Sequence, residues 1–340
     1  MCIRDRRKRA WLIGSWGQAI SAGLIALSAM LIDGTALGAA VVVLLAAQAV
    51  FRALCSIAGK DVQGRTIEKG RRGRITGRAA ALSGGFTLAV GLLLSFLPND
   101  LPRWVIVALL AGGASTWAFA SLVFGTIKEP AEEPTPASNT NWAKATYDLV
   151  KGDRQLQKFL VVRSLMLVTA LSTPFIVVLA QSEGANLSNL GSFIIASGGA
   201  ALIGGRISGI WSDKSSKTTM AWAAAVASIS LLLLVASANL LPAAANAWIM
   251  PLGFFVVNLA HTAVRVSRKT YLVDMADGDR RTMITGAANT VMGVVLLVVG
   301  AISSAISVLG PQTTLVFLAL VGFVGVFSAA NLKDVSARNA

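Results

Sequence analysis

Apolar residues in this chain come in long runs, separated by short charged or proline-bearing segments, rather than alternating with polar ones. A helix rises about 1.5 Å per residue, so about 20 apolar residues cross a hydrocarbon core of about 30 Å. Ten runs reach that length, at 10–32, 35–58, 77–97, 103–126, 158–180, 187–211, 218–240, 243–266, 283–309 and 312–332. The pattern predicts an all-α integral membrane protein with about ten transmembrane helices. Composition agrees: 55% of the residues are hydrophobic and 14% charged, whereas soluble domains are about 25% charged.

Charge then orients the chain. The formal net charge is +14, and nearly all Lys and Arg fall in 1–9, 59–78, 127–157, 212–217, 265–282 and the C-terminal tail. Arg103 alone lies in a loop on the other side. This bias places the basic loops and both termini in the cytoplasm, and predicts a multi-pass protein of the plasma (inner) membrane. Basic groups divided among short loops make no single footprint, which argues against a nucleic-acid partner. The opening MCIRD resembles translated sequencing-adapter DNA. It is set aside as a scar, which implies that the natural start lies upstream. Cys2, at the terminus, and Cys55, inside an apolar run, form no disulfide framework.

Two segments repeat. Lys60–Gly77 (KDVQGRTIEKGRRGRITG) and Lys269–Gly286 (KTYLVDMADGDRRTMITG) match at an offset of 209 residues. That offset pairs Lys60 with Lys269, Arg71 with Arg280, Arg72 with Arg281, Ile75-Thr76-Gly77 with Ile284-Thr285-Gly286, and Lys8 with Lys217. Two landmarks in one register argue for an internal duplication, as in transporters built from parallel halves. The expected domains are an N-terminal bundle at 10–126, lacking two helices relative to its counterpart, and a six-helix bundle at 158–332. A linker at 127–157 joins them, and a tail at 333–340 follows. Pro130, Pro134 and Pro136 among Glu129, Glu132 and Glu133 deny the linker a packed core, while 141–150 suits a short amphipathic helix.

In Gly204–Met220 (GGRISGIWSDKSSKTTM), Gly209, Asp213, Lys214 and Lys217 resemble the loop signature of the major facilitator superfamily. Ser216 replaces its second glycine and Thr218 its last basic residue. The RRGR run at Arg71 to Arg74 resembles the family's loop after helix 4, with Glu68 in place of the usual proline. The resemblance implies family helices 3 to 12 of a two-bundle permease working by alternating access. It makes Arg71, Arg72, Arg280 and Arg281 a second cytoplasmic loop motif. It also implies that Asp213 meets the N-terminus of family helix 11, near Arg281 to Ile284, a contact worth about 0.3–1 kcal/mol. The plainer account of Asp213 is a solvated loop charge.

Helices 1, 4, 7 and 10 line the central cavity in that family, so their polar faces supply the substrate candidates. Gln48, Arg52 and Ser56 share one face; Thr169 and Thr173 share another, just before the helix-breaking Pro174; Asn258, His261 or Thr262, and Arg265 share a third, and Asn289 is a weaker candidate. The alternative is that these groups bond neighbouring helices while Arg52 and Arg265 snorkel to the interface. Arg52 and His261 are equivalent at the repeat offset, each eight residues before a loop lysine, or about 12 Å inside a helix end. No acidic residue is near either in sequence, so the expected solute is a small anion or carboxylate.

Gly77, Gly84, Gly85 and Gly91 are expected at close helix contacts. No Gly-Pro pair of the family's antiporter subset follows them. No Asp or Glu falls well inside the ten runs, so a proton relay there is unsupported, although a coupling ion such as a proton stays open. Trp11, Trp104, Trp211, Trp222 and Trp248 lie near run ends, as an aromatic belt. There is no P-loop, no cluster of metal ligands around the lone His261, and no nucleophile with a spaced base. The reading is therefore a non-enzymatic, monomeric transporter of a small molecule in the lipid bilayer, with no cofactor or metal. A non-transporting membrane sensor or scaffold of the same fold is the alternative.

Overall fold

The computed structural model describes residues 7–96, 102–128, 142–182 and 190–336. The adapter-like opening and the proline-rich core of the linker lie outside these residues. The described chain forms α1 (Arg7–Leu31), α2 (Gly34–Thr66), α3 (Arg72–Ser95), α4 (Arg103–Gly125), α5 (Trp142–Gly152), α6 (Arg154–Leu165), α7 (Val168–Ser182), α8 (Leu190–Lys214), α9 (Ser216–Leu240), α10 (Ala243–Asp274), α11 (Gly278–Ser307) and α12 (Pro311–Ala330). Among the described residues ten spans are long and apolar enough to cross a membrane, with α6 and α7 together making one of them. This is an all-α multi-pass membrane protein. The remaining helix, α5, is the short element expected at the end of the linker.

Helix boundaries carry the repeat. Both ends of α1 recur in α9 at the 209-residue offset, and the starts of α2 and α10, Gly34 and Ala243, are separated by the same interval. The helices outrun the apolar runs: α2 continues eight residues beyond 58 and α10 eight beyond 266. Charged residues do not break a helix when each finds a partner, and Asp61 and Asp274 do so. His261 therefore lies thirteen residues from the end of α10, about 20 Å rather than the expected 12 Å.

The chain divides into two compact units. In the first, α1, α2, α4 and the first turns of α11 are grouped. There α1 packs on α2 and α4. Gly14 lets it approach Cys55 and the carbonyl of Phe51, and a Cβ at Gly14 would lie 2.8 Å from each. Trp11 stacks on Phe124 with ring centroids 3.8 Å apart, so this residue packs inside rather than joining the aromatic belt. Trp104, Trp211, Trp222 and Trp248 are exposed at helix ends, as expected. At the other end of α1, Arg103 donates to the carbonyls of Ala29 and Ile32 and pairs with Asp33 at 2.9 Å.

The second unit holds α3, α5 to α10, the rest of α11 and α12. Its apolar core joins α7, α9, α10 and α12 through Ile176, Leu231, Phe254 and Leu318. Phe193 of α8 meets Phe254 edge-on at 4.8 Å. Beside this core α3 lies along α8 with the helix backbones almost touching. A side chain at Gly77, Gly84 or Gly91 would strike α8, and one at Gly198 or Gly205 would strike α3. Three of the four predicted close-packing glycines are thus at this seam, while Gly85 faces only the Leu202 side chain at an ordinary 3.6 Å.

Candidate functional site

The span made by α6 and α7 is interrupted at Met166–Leu167. Pro174 does not end a helix as expected; it sits inside α7, and the interruption falls two turns earlier. At the break the Thr169 hydroxyl donates to the Met166 carbonyl at 3.0 Å and lies 3.0 Å from His261 Nδ1 on α10. A hydroxyl has one proton to give. With that proton on Met166, Nδ1–H of His261 is the donor to Thr169. In neutral His261 the Nε2 lone pair then remains available to accept.

His261 belongs to a stripe on α10. Asn258, His261, Arg265 and Arg268 follow at spacings of three, four and three residues, which places them on one helix face. Asn258 donates to the Phe254 carbonyl at 2.9 Å and accepts weakly from Ser197 at 3.4 Å. Arg265 and Arg268 both lie within electrostatic reach of His261. From α6, Phe159 stacks on Tyr271 of α10 with ring centroids 5.1 Å apart, and one turn further on Arg163 places Nη2 3.4 Å from Asn289 Oδ1. The break, the α10 stripe, Arg163 and Asn289 thus come together within one compact unit. Thr173, also predicted, is partly buried in α7 and makes no hydrogen bond among the described residues.

The remaining candidates behave differently. Arg52 is exposed and Gln48 partly buried on α2. Neither lines the groove nearer the start of α2, between Leu24 and Ser28 of α1 and Ala39, Ala40, Val43 and Leu44 of α2, which is apolar. The equivalence of Arg52 and His261 holds in register but not in environment.

Asp213 is corrected in its partner. It caps a helix N-terminus, but that of α3 and not of α11: its carboxylate accepts from the backbone N–H groups of Gly73 at 2.6 Å and Arg74 at 2.9 Å. Gly73 and Gly209 make the approach possible, since a Cβ on Gly73 would lie 2.7 Å from Asp213 Oδ1, and one on Gly209 would lie 2.7 Å from the Gly73 carbonyl. Lys214 is exposed and Lys217 partly buried. Beside them the C-terminal tail returns. Asp334 accepts from Ser215 at 2.6 Å, the Ser216 N–H donates to Ser336 at 3.1 Å, and Tyr271 donates to the Lys333 carbonyl at 2.9 Å. Burial alone would raise the Asp334 carboxyl, but hydrogen bonds from Ser215 and Ser336 and the charge of Lys217 hold it below the ordinary aspartate range.

In the second loop motif, the two arginines of each pair separate. Arg71 and Arg280 are exposed, whereas Arg72 and Arg281 are buried at helix starts. Arg72 pairs with Asp274 at 2.7 Å. Arg281 lies 4.0 Å from Asp61, which also accepts from Arg7 and, at 3.3 Å, from Arg65.

No protein-family model and no curated protein matches the chain. Solved structures do. The Escherichia coli fucose:proton symporter FucP, as a single-substitution variant, superimposes with a TM-score of 0.68 at 13% identity, over 96% of this chain and 84% of that one. The same transporter described in an outward conformation gives 0.68 at 14%, over 96% and 83%. A bacterial homologue of the iron transporter ferroportin in an outward-facing state gives 0.64 at 12%, over 95% and 81%. The chain has the major facilitator fold. Within this fold, sequence reasoning missed Arg163 and Arg268 and the two buried aspartates. Arg268 was legible as the next step of the α10 stripe. Arg163 carried no signal, because nothing in its neighbourhood predicts a helix break three residues later. Asp61 and Asp274 were discounted because they lie beyond the apolar runs.

Proposed function

We propose that this protein is a secondary or facilitative transporter that moves a small solute across the membrane by alternating access. The observation that carries the reading is the broken α6–α7 span, whose Met166 carbonyl accepts from the backbone N–H and the hydroxyl of Thr169, the latter 3.0 Å from His261 Nδ1. Discontinuous helices at mid-span are where transporters of this kind bind solutes. The fold of two transporters supports the reading. We take residues 10–126 and 158–332 as the two bundles, 127–157 as a cytoplasmic linker, and both termini as cytoplasmic in the plasma (inner) membrane. The positive-inside bias supports that orientation. The solute is read as anionic, because the groups around His261 are cationic. It is bound by Thr169, Asn258 and His261, with Asn289 alongside, and coupling to a proton is kept as part of the proposal.

Uptake into proteoliposomes tests it, using monosaccharides, monocarboxylates and dicarboxylates, with and without a pH gradient. At least one anion should enter faster than into empty vesicles, and Thr169→Val and His261→Ala should each slow it. Uptake no faster than in empty vesicles for every solute would overturn transport. Uptake of neutral sugars alone would overturn the anion.

A further inference from the structure

Two cations in the second unit have no neutralising partner among the described residues. Arg163 Nε is buried without a hydrogen-bond partner, and the side chain's contact with Asn289, from Nη2, is long. Arg268 makes no hydrogen bond or ion pair among the described residues; it and Arg163 lie between two contacts that join their spans, the Phe159–Tyr271 stack at 5.1 Å and the Thr169–His261 contact at 3.0 Å, and Arg265 on the same face is a cation as well. The acids near this end of α10 are engaged elsewhere: Asp274 holds Arg72, Asp334 holds Ser215 and Asp153 caps the start of α6. Like charges gathered on partly buried helix faces repel, and each also forfeits part of its hydration. The C-terminal end of α6, two residues past Arg163, offsets part of this through its dipole. It does nothing for Arg268.

We propose that Arg163 and Arg268 form an oxyanion site for a doubly charged solute. A phosphoryl dianion, or the two carboxylates of a dicarboxylate, engages the two guanidiniums, and the two positive charges are matched by two negative ones. This rests on the transport reading above and names the class of solute. Guanidiniums suit the role because their planar donor forks take two oxygens at once. Asn289 orients Arg163 from the side. The site lies nine residues into α6 and six from the end of α10, about 14 Å and 9 Å from their charged ends. His261 Nε2 and Thr169 lie deeper, where they meet the uncharged remainder of the solute. The arrangement is peculiar to the second half: at the repeat offset Arg268 corresponds to Gly59 and Arg265 to Ser56.

The test is thermal unfolding of the full chain in detergent with inorganic phosphate, succinate, acetate, fucose or chloride, all salts at matched ionic strength. Phosphate or succinate should raise Tm above the chloride value, and acetate and fucose should not. Which of the two dianions acts separates phosphoryl from dicarboxylate recognition. Arg163→Gln and Arg268→Gln should each weaken the dianion by about ten-fold or more, and the lysine variants less. A second readout needs no ligand. Arg268→Met removes an uncompensated cation, so it should raise the Tm of the ligand-free protein, whereas a merely structural Arg268 would lower it.

The site is overturned if neither dianion exceeds chloride, or if both glutamine variants bind as the parent does. It is also overturned if Arg268→Met lowers the ligand-free Tm. Uptake of a sugar or monocarboxylate without a dianion effect would sink the site and leave transport standing. Arginine-dependent dianion binding without any uptake would do the reverse.

Discussion

α2 and α10 begin 209 residues apart in the same register, yet their polar faces have opposite surroundings. On α10, Asn258 is buried and His261 is bonded to a broken neighbour. On α2, Arg52 at the position equivalent to His261 is exposed. The neighbours explain it: α10 is packed by α7, α8, α9 and α3, whereas α2 packs on α1. Register inherited by duplication sets which residues share a face. Burial, and with it the chemistry of that face, depends on what is packed against it. The equivalent helix starts differ in the same way. The start of α1 is held by Arg7 on Asp61, and that of α9 by the returning tail. The start of α3 is capped by Asp213 and that of α11 is pinned by Arg281.

The comparison breaks most readily at the buried aspartates. Asp61→Asn puts a neutral group opposite Arg7 and Arg65 and takes one of the two carboxylates near Arg281, Asp277 at 3.0 Å being the other, and should cost about 3–5 kcal/mol of stability. Asp274→Asn, after which Arg72 keeps the Ile67 and Val273 carbonyls as acceptors, should cost less. Chemical unfolding in detergent compares them, and an equal loss would mean that the extra arginines near Asp61 contribute nothing.

Next comes Asp213→Asn, expected to cost about 1–2 kcal/mol through the lost charge at the α3 N-terminus. Hydrogen exchange should quicken at the Gly73 and Arg74 amides and stay unchanged at the first turn of α11. Distances between labels on α3 and α8 should broaden with it. A change at α11 instead would restore the partner that the family resemblance implied.

Thr169→Val should cost about 1 kcal/mol, the worth of an ordinary hydrogen bond, and Thr173→Val less than half of that. Equal effects would show that the helix break has no special role.

Asp334→Asn should have a smaller effect, seen as faster exchange of the Ser216 amide. The folded carboxyl lies below its unfolded value, so its contribution is present above the ordinary aspartate pKa of about 3.9 and fades as pH falls through the folded value. Tail docking should therefore be unchanged between neutral pH and about pH 5, and a loss in that window would refute the assignment. Least of all, Arg52→Gln should shift stability by under about 0.5 kcal/mol, as an exposed substitution does. A larger loss would make the two stripes equivalent after all.

Hydrophobic run length by itself determined the fold class, because about 20 apolar residues leave a helix in lipid few alternatives. The repeat offset was equally legible, since it is a property of letters, and it carried over to helix starts within one residue at α2/α10 and α4/α12. Gly77, Gly84 and Gly91 could be read as contact glycines, because a missing side chain inside an apolar run has few uses besides close approach. Only the tertiary structure decided partners. Asp213 could cap more than one helix N-terminus, and the α3–α8 seam brought that of α3 to it. His261 could be a solvated, a bonded or a ligand-binding histidine until the break at Met166 placed Thr169 beside it. Arg163 and Arg268, 105 residues apart in the chain, become one cationic site only because side chains of α6 and α10 meet, as where Phe159 stacks on Tyr271. Charge in a membrane protein is a pairwise property in a medium that screens poorly, and pairs are made by packing rather than by sequence order.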